Sequence, residues 1–173
     1  MNTKKLVLFS GLLLIGSLAG CHKKPLKPPE VIQAPVEQTE EVKEEPTIRG
    51  AEFQEVPELK GIYFGYENYE LTPEARAILQ KNADYLKDHK ELEALIEGNC
   101  CECGTNEYNL GLGQKRAQVT REYYINLGLN PGRIGTISYG KEAPVKPNAG
   151  PPDSPDCAFN RHTDTKVRTI GAK

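Results

Sequence analysis

The sequence predicts an α+β fold, with helices packed on one face of a small mixed sheet. Three observations lead there. From about Leu59 onward, strand-like and helix-like patterns alternate in the order β-α-β-α-β-loop-β. Before that point the chain carries an apolar run and then a Pro/Glu/Lys-rich tract, neither with core periodicity. No segment repeats, and 173 residues leave room for one domain.

Each element has a local reason. KGIYFGY at 60–66 has the β-branched and aromatic bias of a strand. Thr72-Pro73-Glu74 is an N-cap followed by proline at the first helical position. Ala75, Ile78, Leu79, Ala83 and Leu86 then recur at helical spacing. ELEALIEG at 91–98 is a second strand, with Leu92, Ala94 and Ile96 on one face. Glu91, Glu93 and Glu97 lie mostly on the other and read as a solvated row. A second helix runs from about Asn106 to Leu127, with Leu112, Ala117, Thr120, Tyr124 and Leu127 inward, and Gly128 and Pro131 end it. RIGTISYG at 133–140 is a third strand. A long Pro/Gly loop separates it from a last strand, TDTKVRTI at 163–170.

The N-terminus indicates the compartment. Lys4 and Lys5 precede LVLFSGLLLIGSLAG, too short an apolar run for a bilayer, which needs roughly 20 residues. Residues 1–20 therefore read as a signal peptide. Leu18-Ala19-Gly20-Cys21 resembles the bacterial lipobox, which implies lipidation at Cys21 and anchorage to outer-membrane lipid. His22, in place of an inner-membrane retention aspartate, directs the expectation to the outer membrane, with the domain in the periplasm. Residues 21–58 read as the lipidated Cys21 and a disordered tether, too poor in large apolar residues to offset its ordering entropy. At about 3.1 Å per residue, roughly 35 residues reach about 100 Å at most. The folded domain is expected over 59–173. A net charge of −2 is too balanced to imply nucleic acid as a partner.

The loop GNCCECGTNEYN at 98–109 holds Cys100, Cys101 and Cys103, three of the five cysteines. The spacing CCxC departs from the CxxC of structural zinc sites, so a zinc site of Cys100, Cys101, Cys103 and His162 is set aside. A redox enzyme would want CxxC beside a thioredoxin-like unit, which is absent. No Ser/His/Asp pattern, phosphate loop or metal-ligand helix supports catalysis, and no cofactor or metal is expected.

EGNCCECGTNEYNLGLGQKRA at 97–117 resembles the OmpA-like peptidoglycan-binding domain family, in particular its peptidoglycan-associated lipoprotein branch, which typically reads EGHxDERGTxEYNxxLGxRRA. IYFGYENYEL at 62–71, ISYGKEAP at 137–144 and Asn160-Arg161 resemble other segments of that family in the same order. The resemblance implies an OmpA-like β-α-β-α-β-β sandwich. It also implies binding of the diaminopimelate end of peptidoglycan stems, and Tol-type periplasmic partners. That ligand end is a zwitterion, so the site needs a fixed cation and an anion. By resemblance Arg116, near the start of the second helix, is the cation. Thr105, Tyr108, Asn109, Phe64 and Arg161 complete the expected site.

The anion is where the sequence departs. The family aspartate aligns with Cys101, the preceding histidine with Asn99, the following arginine with Cys103, and a first-strand aspartate with Gly65. An ordinary thiol, with pKa about 8.5, is a poor partner for an ammonium. Glu102 is the nearby carboxylate that would substitute. In an oxidising compartment the resemblance also suggests a Cys100–Cys157 disulfide, since Asn160-Arg161 lies beside the same loop in that fold. Two functions follow. One is a tether that binds peptidoglycan, favoured by Arg116, Tyr108 and Asn109. The other is an envelope structural or interaction protein that acts through partners or disulfides, favoured by Cys101 and Gly65.

Overall fold

The computed structural model describes residues 52–147 and 151–171. The expected signal peptide, the expected lipidation at Cys21 and the expected tether up to residue 51 lie outside the described residues. The elements are β1 (Ile62–Tyr63), α1 (Pro73–Asp88), β2 (Leu92–Asn99), α2 (Asn106–Asn126), β3 (Ile134–Gly140), α3 (Pro155–Phe159) and β4 (His162–Thr169). A 3-10 turn, Pro131–Arg133, leads into β3. The sheet order is β1-β4-β2-β3. β2 and β3 run parallel with α2 as their crossover, and β4 enters antiparallel between β1 and β2. The expected mixed sheet is thus the one observed.

The helices form where the sequence signals stand. Thr72 Oγ1 accepts from Ala75 N at 3.1 Å, and Pro73 opens α1. Gly128, at φ +95°, follows the end of α2 in the left-handed region that glycine tolerates. Arg133 closes the far end of α1 by donating to the carbonyls of Leu86, His89 and Leu92. Between the helices and the sheet lies one core that includes Ile62, Leu79, Leu86, Ile96, Tyr124 and Ile134. Its polar members are satisfied in a chain: Asn82 donates to the Tyr124 hydroxyl at 3.1 Å, and that hydroxyl meets Thr165 Oγ1 at 3.0 Å. Burial pushes the Tyr124 phenol up to about 12.

Four differences from the sequence reading have physical causes. The first strand is short, Ile62–Tyr63: Phe64 N still donates to the Arg161 carbonyl in the same register, and the chain then leaves the sheet in the turn closed by Asn68 N on the Gly65 carbonyl. Order starts earlier than Leu59: Gln54 exchanges both backbone hydrogen bonds with Val167, and Val56 packs against the core. The Pro/Gly loop contains a short helix, α3, with Ser154 as N-cap and Pro155 at its start. The glutamate row is solvated only at Glu91, which is exposed. Glu93 sits opposite Arg168 in the β2–β4 register and pairs with it at 2.7 Å, and Glu97, buried, pairs with Lys166 at 3.0 Å.

Helix α2 crosses β2 closely. A Cβ at Gly98 would strike the Gly113 carbonyl, and one at Gly113 would strike Ser138 Oγ. Two facing glycines therefore let the helix backbone lie against the strand. Just beyond, the register of β2 on β3 slips between Gly98 and Asn99, and Cys100 N then reaches the Gly140 carbonyl at 2.7 Å. That irregularity releases the chain into the cysteine loop.

Candidate functional site

The loop from Cys100 to Thr105 joins the carboxyl end of β2 to the first turn of α2 and forms one wall of a cleft of about 320 Å³. That volume is at the lower end of the range for small-molecule sites. The loop is braced from two sides. Asn109, buried on α2, donates to the Cys103 carbonyl at 2.7 Å and to the Thr105 carbonyl at 3.0 Å. Lys141 donates to the carbonyls of Glu102 and Gly104. Thr105 caps α2, its Oγ1 accepting from Tyr108 N at 3.2 Å. Tyr108, half exposed, faces the cleft one turn into the helix.

Two guanidinium groups line the cleft from below the surface. Arg116 is 0% exposed and stands midway along α2 rather than near its start. It donates to the carbonyls of Asn68 at 2.9 Å, Asn99 at 2.9 Å and Gly65 at 3.0 Å, and to Cys100 Sγ at 3.4 Å. These bonds engage four of its five N–H donors. Its guanidinium lies 5.2 Å from the centre of the Phe64 ring. Burial pulls Arg116 below the ordinary guanidinium value, with the Cys100 thiol opposing that shift. Arg161 is also buried and donates to the carbonyls of Phe64 at 3.1 Å and Pro152 at 2.7 Å. Neither arginine has a carboxylate partner among the described residues. Two buried cations that line a cleft without a carboxylate partner among the described residues favour an anionic ligand group.

The expected residues divide into three groups. Arg116, Arg161, Thr105, Tyr108, Asn109 and Cys101 all line the cleft. Phe64 and Gly65 stand behind it, one as the surface under Arg116 and the other as its carbonyl acceptor. Glu102 is exposed and does not line the cleft; only its carbonyl is engaged, by Lys141. The carboxylate that does line it is Glu67, with Tyr66 beside it. Both were missed as site residues. The signal lay in the turn after the first strand, where Glu67 adopts φ +52° and Asn68 Oδ1 accepts from Glu70 N.

The cysteines are arranged differently from the expected pairing. Cys100 turns toward α2, where its thiol donates to the Asn109 carbonyl at 3.3 Å and receives Arg116. Burial raises that thiol above its usual range. Cys157 does not meet it. Instead Cys157 lies with Cys101 and Cys103, all three sulfurs within 4.8 Å of one another, and Cys103 Sγ is 3.9 Å from Cys157 Sγ. The four cysteines among the described residues are free thiols, so the Cys100–Cys157 disulfide is corrected. The reason is that adjacent Cys100 and Cys101 send their sulfurs to different partners, the first to α2 and the second to Cys103 and Cys157. His162 stays out of the cluster, held by Asp164 at 3.0 Å and the Phe159 carbonyl at 2.9 Å.

Within the cluster the thiols are unequal. Burial works to raise Cys101, but hydrogen bonds from Cys157, from the Cys103 backbone and thiol, and from Arg161 outweigh it and hold Cys101 below the usual cysteine value. Burial, together with the hydrogen bond and charge of Cys101, pushes Cys157 up to about 12. Burial and the Cys101 charge raise Cys103 as well. The first proton therefore leaves from Cys101, and its thiolate is an anion in the same cleft as Arg116, Arg161 and Glu67.

Comparison with known proteins agrees with this geometry. Residues 63–156 match the OmpA family. Over 84 residues the chain is 43% identical to the peptidoglycan-associated lipoprotein of Haemophilus influenzae, covering 49% of this chain and 55% of that protein. Over 104 residues it is 38% identical to the peptidoglycan-associated lipoprotein of Pseudomonas aeruginosa, covering 60% of each. The chain spans about half the length of several of the curated relatives it matches. The crystal structure of the peptidoglycan-associated lipoprotein from Burkholderia pseudomallei superposes with TM-score 0.59 at 39% identity, covering 62% of this chain and 89% of that one. The C-terminal domain of Helicobacter pylori MotB, at 18% identity and TM-score 0.57, shares the fold alone, over 65% of this chain and 86% of that one. The family match runs from the end of β1 to the start of α3, with the cysteine loop and Arg116 inside it, and on that match the chain belongs to the OmpA family.

Proposed function

We propose that the chain is a lipid-anchored, outer-membrane protein whose periplasmic domain binds peptidoglycan and so holds the outer membrane to the cell wall. The ligand group is the free end of diaminopimelate in the stem peptide. The observation that carries the reading is the pair of buried guanidinium groups, Arg116 and Arg161, that line a small cleft without acidic partners. A carboxylate entering the cleft supplies the missing counter-charge. The α2 amino end, capped by Thr105, adds the positive end of the helix dipole. Tyr66 and Tyr108 offer apolar faces to the methylene stem. The ammonium beside that carboxylate meets Glu67 or the Cys101 thiolate. The names of the relatives and the lipobox support the anchored, wall-associated role; for Tol-type partners the support is the resemblance alone.

The test is co-sedimentation of the reduced chain with purified diaminopimelate-containing peptidoglycan. Binding is expected, and free diaminopimelate is expected to displace the protein from the wall. Absence of binding overturns the reading. It would then pass to a second one, an envelope structural or interaction protein, which the thiols gathered in place of a carboxylate favour.

A further inference from the structure

The geometry points to a metal site built from Cys101, Cys103 and Cys157, suited to a thiophilic divalent cation of the Zn2+ type, whose loaded form gives the cleft its anionic half. The three sulfurs already stand where such an ion would gather them. All lie within 4.8 Å of one another, and Cys103 and Cys157 are 3.9 Å apart. Thiolates held about 2.3 Å from a tetrahedral ion are separated by about 3.8 Å. A disulfide would need one pair to close to about 2.05 Å and would leave the third thiol stranded. One ion satisfies all three with smaller movement.

The cluster is held by structure outside it. The loop that carries Cys101 and Cys103 is fixed through Asn109 and Lys141, and Cys157 sits in α3, with its N–H on Ser154 Oγ. Arg161 lines the same cleft as Cys101 and sets a cation near it, which favours a thiolate ligand there. Soft sulfur donors select zinc-like ions over magnesium or calcium. Three protein ligands leave the fourth position of a tetrahedral ion to water or a guest, the arrangement of open zinc sites. Cys101 and Cys103 line the cleft, so that position adjoins the ligand.

Charge gives the site its role. Three thiolates around a divalent ion leave one net negative charge, equal to that of a single carboxylate. The same cleft carries Arg116 and Arg161. Loaded, it presents an anionic wall and a cationic floor, which is the complement of a zwitterion. Unloaded, the wall lacks that ion-bound charge, and Glu67 is the carboxylate left lining the cleft. This part of the inference rests on the peptidoglycan reading above, whereas metal binding does not.

The experiment uses the full chain, reduced and purified in detergent, with Co2+ and Zn2+ as probes. Co2+ is expected to give thiolate-to-metal charge-transfer absorption at one ion per chain, bleached by Zn2+. Cys157→Ser and Cys103→Ser should both abolish it; Cys157 does not line the cleft, so its variant leaves that wall intact. Zn2+ should strengthen co-sedimentation of the wild type with diaminopimelate-containing peptidoglycan by about tenfold, the gain of one charge-assisted hydrogen bond, and should leave Cys157→Ser unchanged. Lack of charge-transfer absorption overturns the metal site, as does a native Cys103–Cys157 disulfide that excludes the ion. Metal binding with wall binding indifferent to Zn2+ overturns the coupling. Metal binding with no wall binding in either state upholds the site and overturns the peptidoglycan reading instead.

Discussion

At the scale of residues, the site is a set of side chains that each serve the fold and the cleft at once. Arg116 shows this most clearly. Its donors bind together the carbonyls of Gly65, Asn68 and Asn99, from the turn after β1 and from the end of β2. The sequence motif disclosed that an arginine belongs at 116. It did not disclose the carbonyl cage, because backbone acceptors carry no sequence signature. Cys101 is the opposite case: the residue looked like a lost charge, and its neighbours restore part of one. Its thiol is held below the usual value while Cys157 is pushed up to about 12. In the metal-free, reduced chain, thiolate ultraviolet absorbance is therefore expected to appear first in a single step below the ordinary cysteine range. Cys101→Ser should remove that step. The sign follows from linkage: a thiol with a depressed folded-state value stabilises the fold above that value and loses the contribution as pH falls through it. A first step at or above the ordinary range would show that the hydrogen bonds to Cys101 are not formed.

At the scale of elements, α1, β2, α2, β3 and β4 were legible because each repeats a pattern long enough to count. Two features were not. Helix α3 is a five-residue turn, too short for a helical period, although Ser154-Pro155 carries the same start signal as Thr72-Pro73. The glutamates of β2 alternate as an exposed row does, and only the register reveals that Glu93 faces Arg168. The packing of α2 on β2 gives a paired prediction. Gly98→Ala places a methyl group against the Gly113 carbonyl, which is backbone and cannot swing aside. Its cost is expected to be at least about 2 kcal/mol, in the range of overpacked cores. Gly111→Ala, on the exposed face of the same helix, meets nothing within 4 Å. It should stabilise by up to about 1 kcal/mol through helix propensity and reduced unfolded-state entropy. Urea unfolding of the two variants separates them in opposite directions; equal shifts would mean that the Gly98–Gly113 contact does not set the helix position.

At the scale of the whole molecule, the fold gathers its chemistry at one place through topology. The parallel β2-α2-β3 unit sets the end of β2 beside the start of α2. The antiparallel entry of β4 brings Arg161 and, through α3, Cys157 from more than 50 residues away to the same loop. This convergence explains why the sequence disclosed the loop and Arg116 but paired the wrong cysteines: proximity across the sheet edge depends on which way each sulfur turns. It also determines what the cleft distinguishes. Its fixed charge is cationic, from two buried guanidiniums, so the carboxylate of the ligand should carry more of the recognition than its ammonium. Lysine-type peptidoglycan, whose stem residue ends in an ammonium without that carboxylate, should then bind at least about tenfold more weakly than the diaminopimelate type, the loss of one or more charge-assisted hydrogen bonds. Cys101→Asp in metal-free protein should strengthen binding to the diaminopimelate wall by about tenfold, because it sets a permanent anion near the ammonium. The same substitution should improve binding to the lysine type as well, since both ligands carry an ammonium, and so leave the preference between walls largely unchanged. Parallel co-sedimentation of wild type and variant on the two walls reads both effects. Equal binding of the wild type to both walls would place recognition elsewhere than on Arg116 and Arg161.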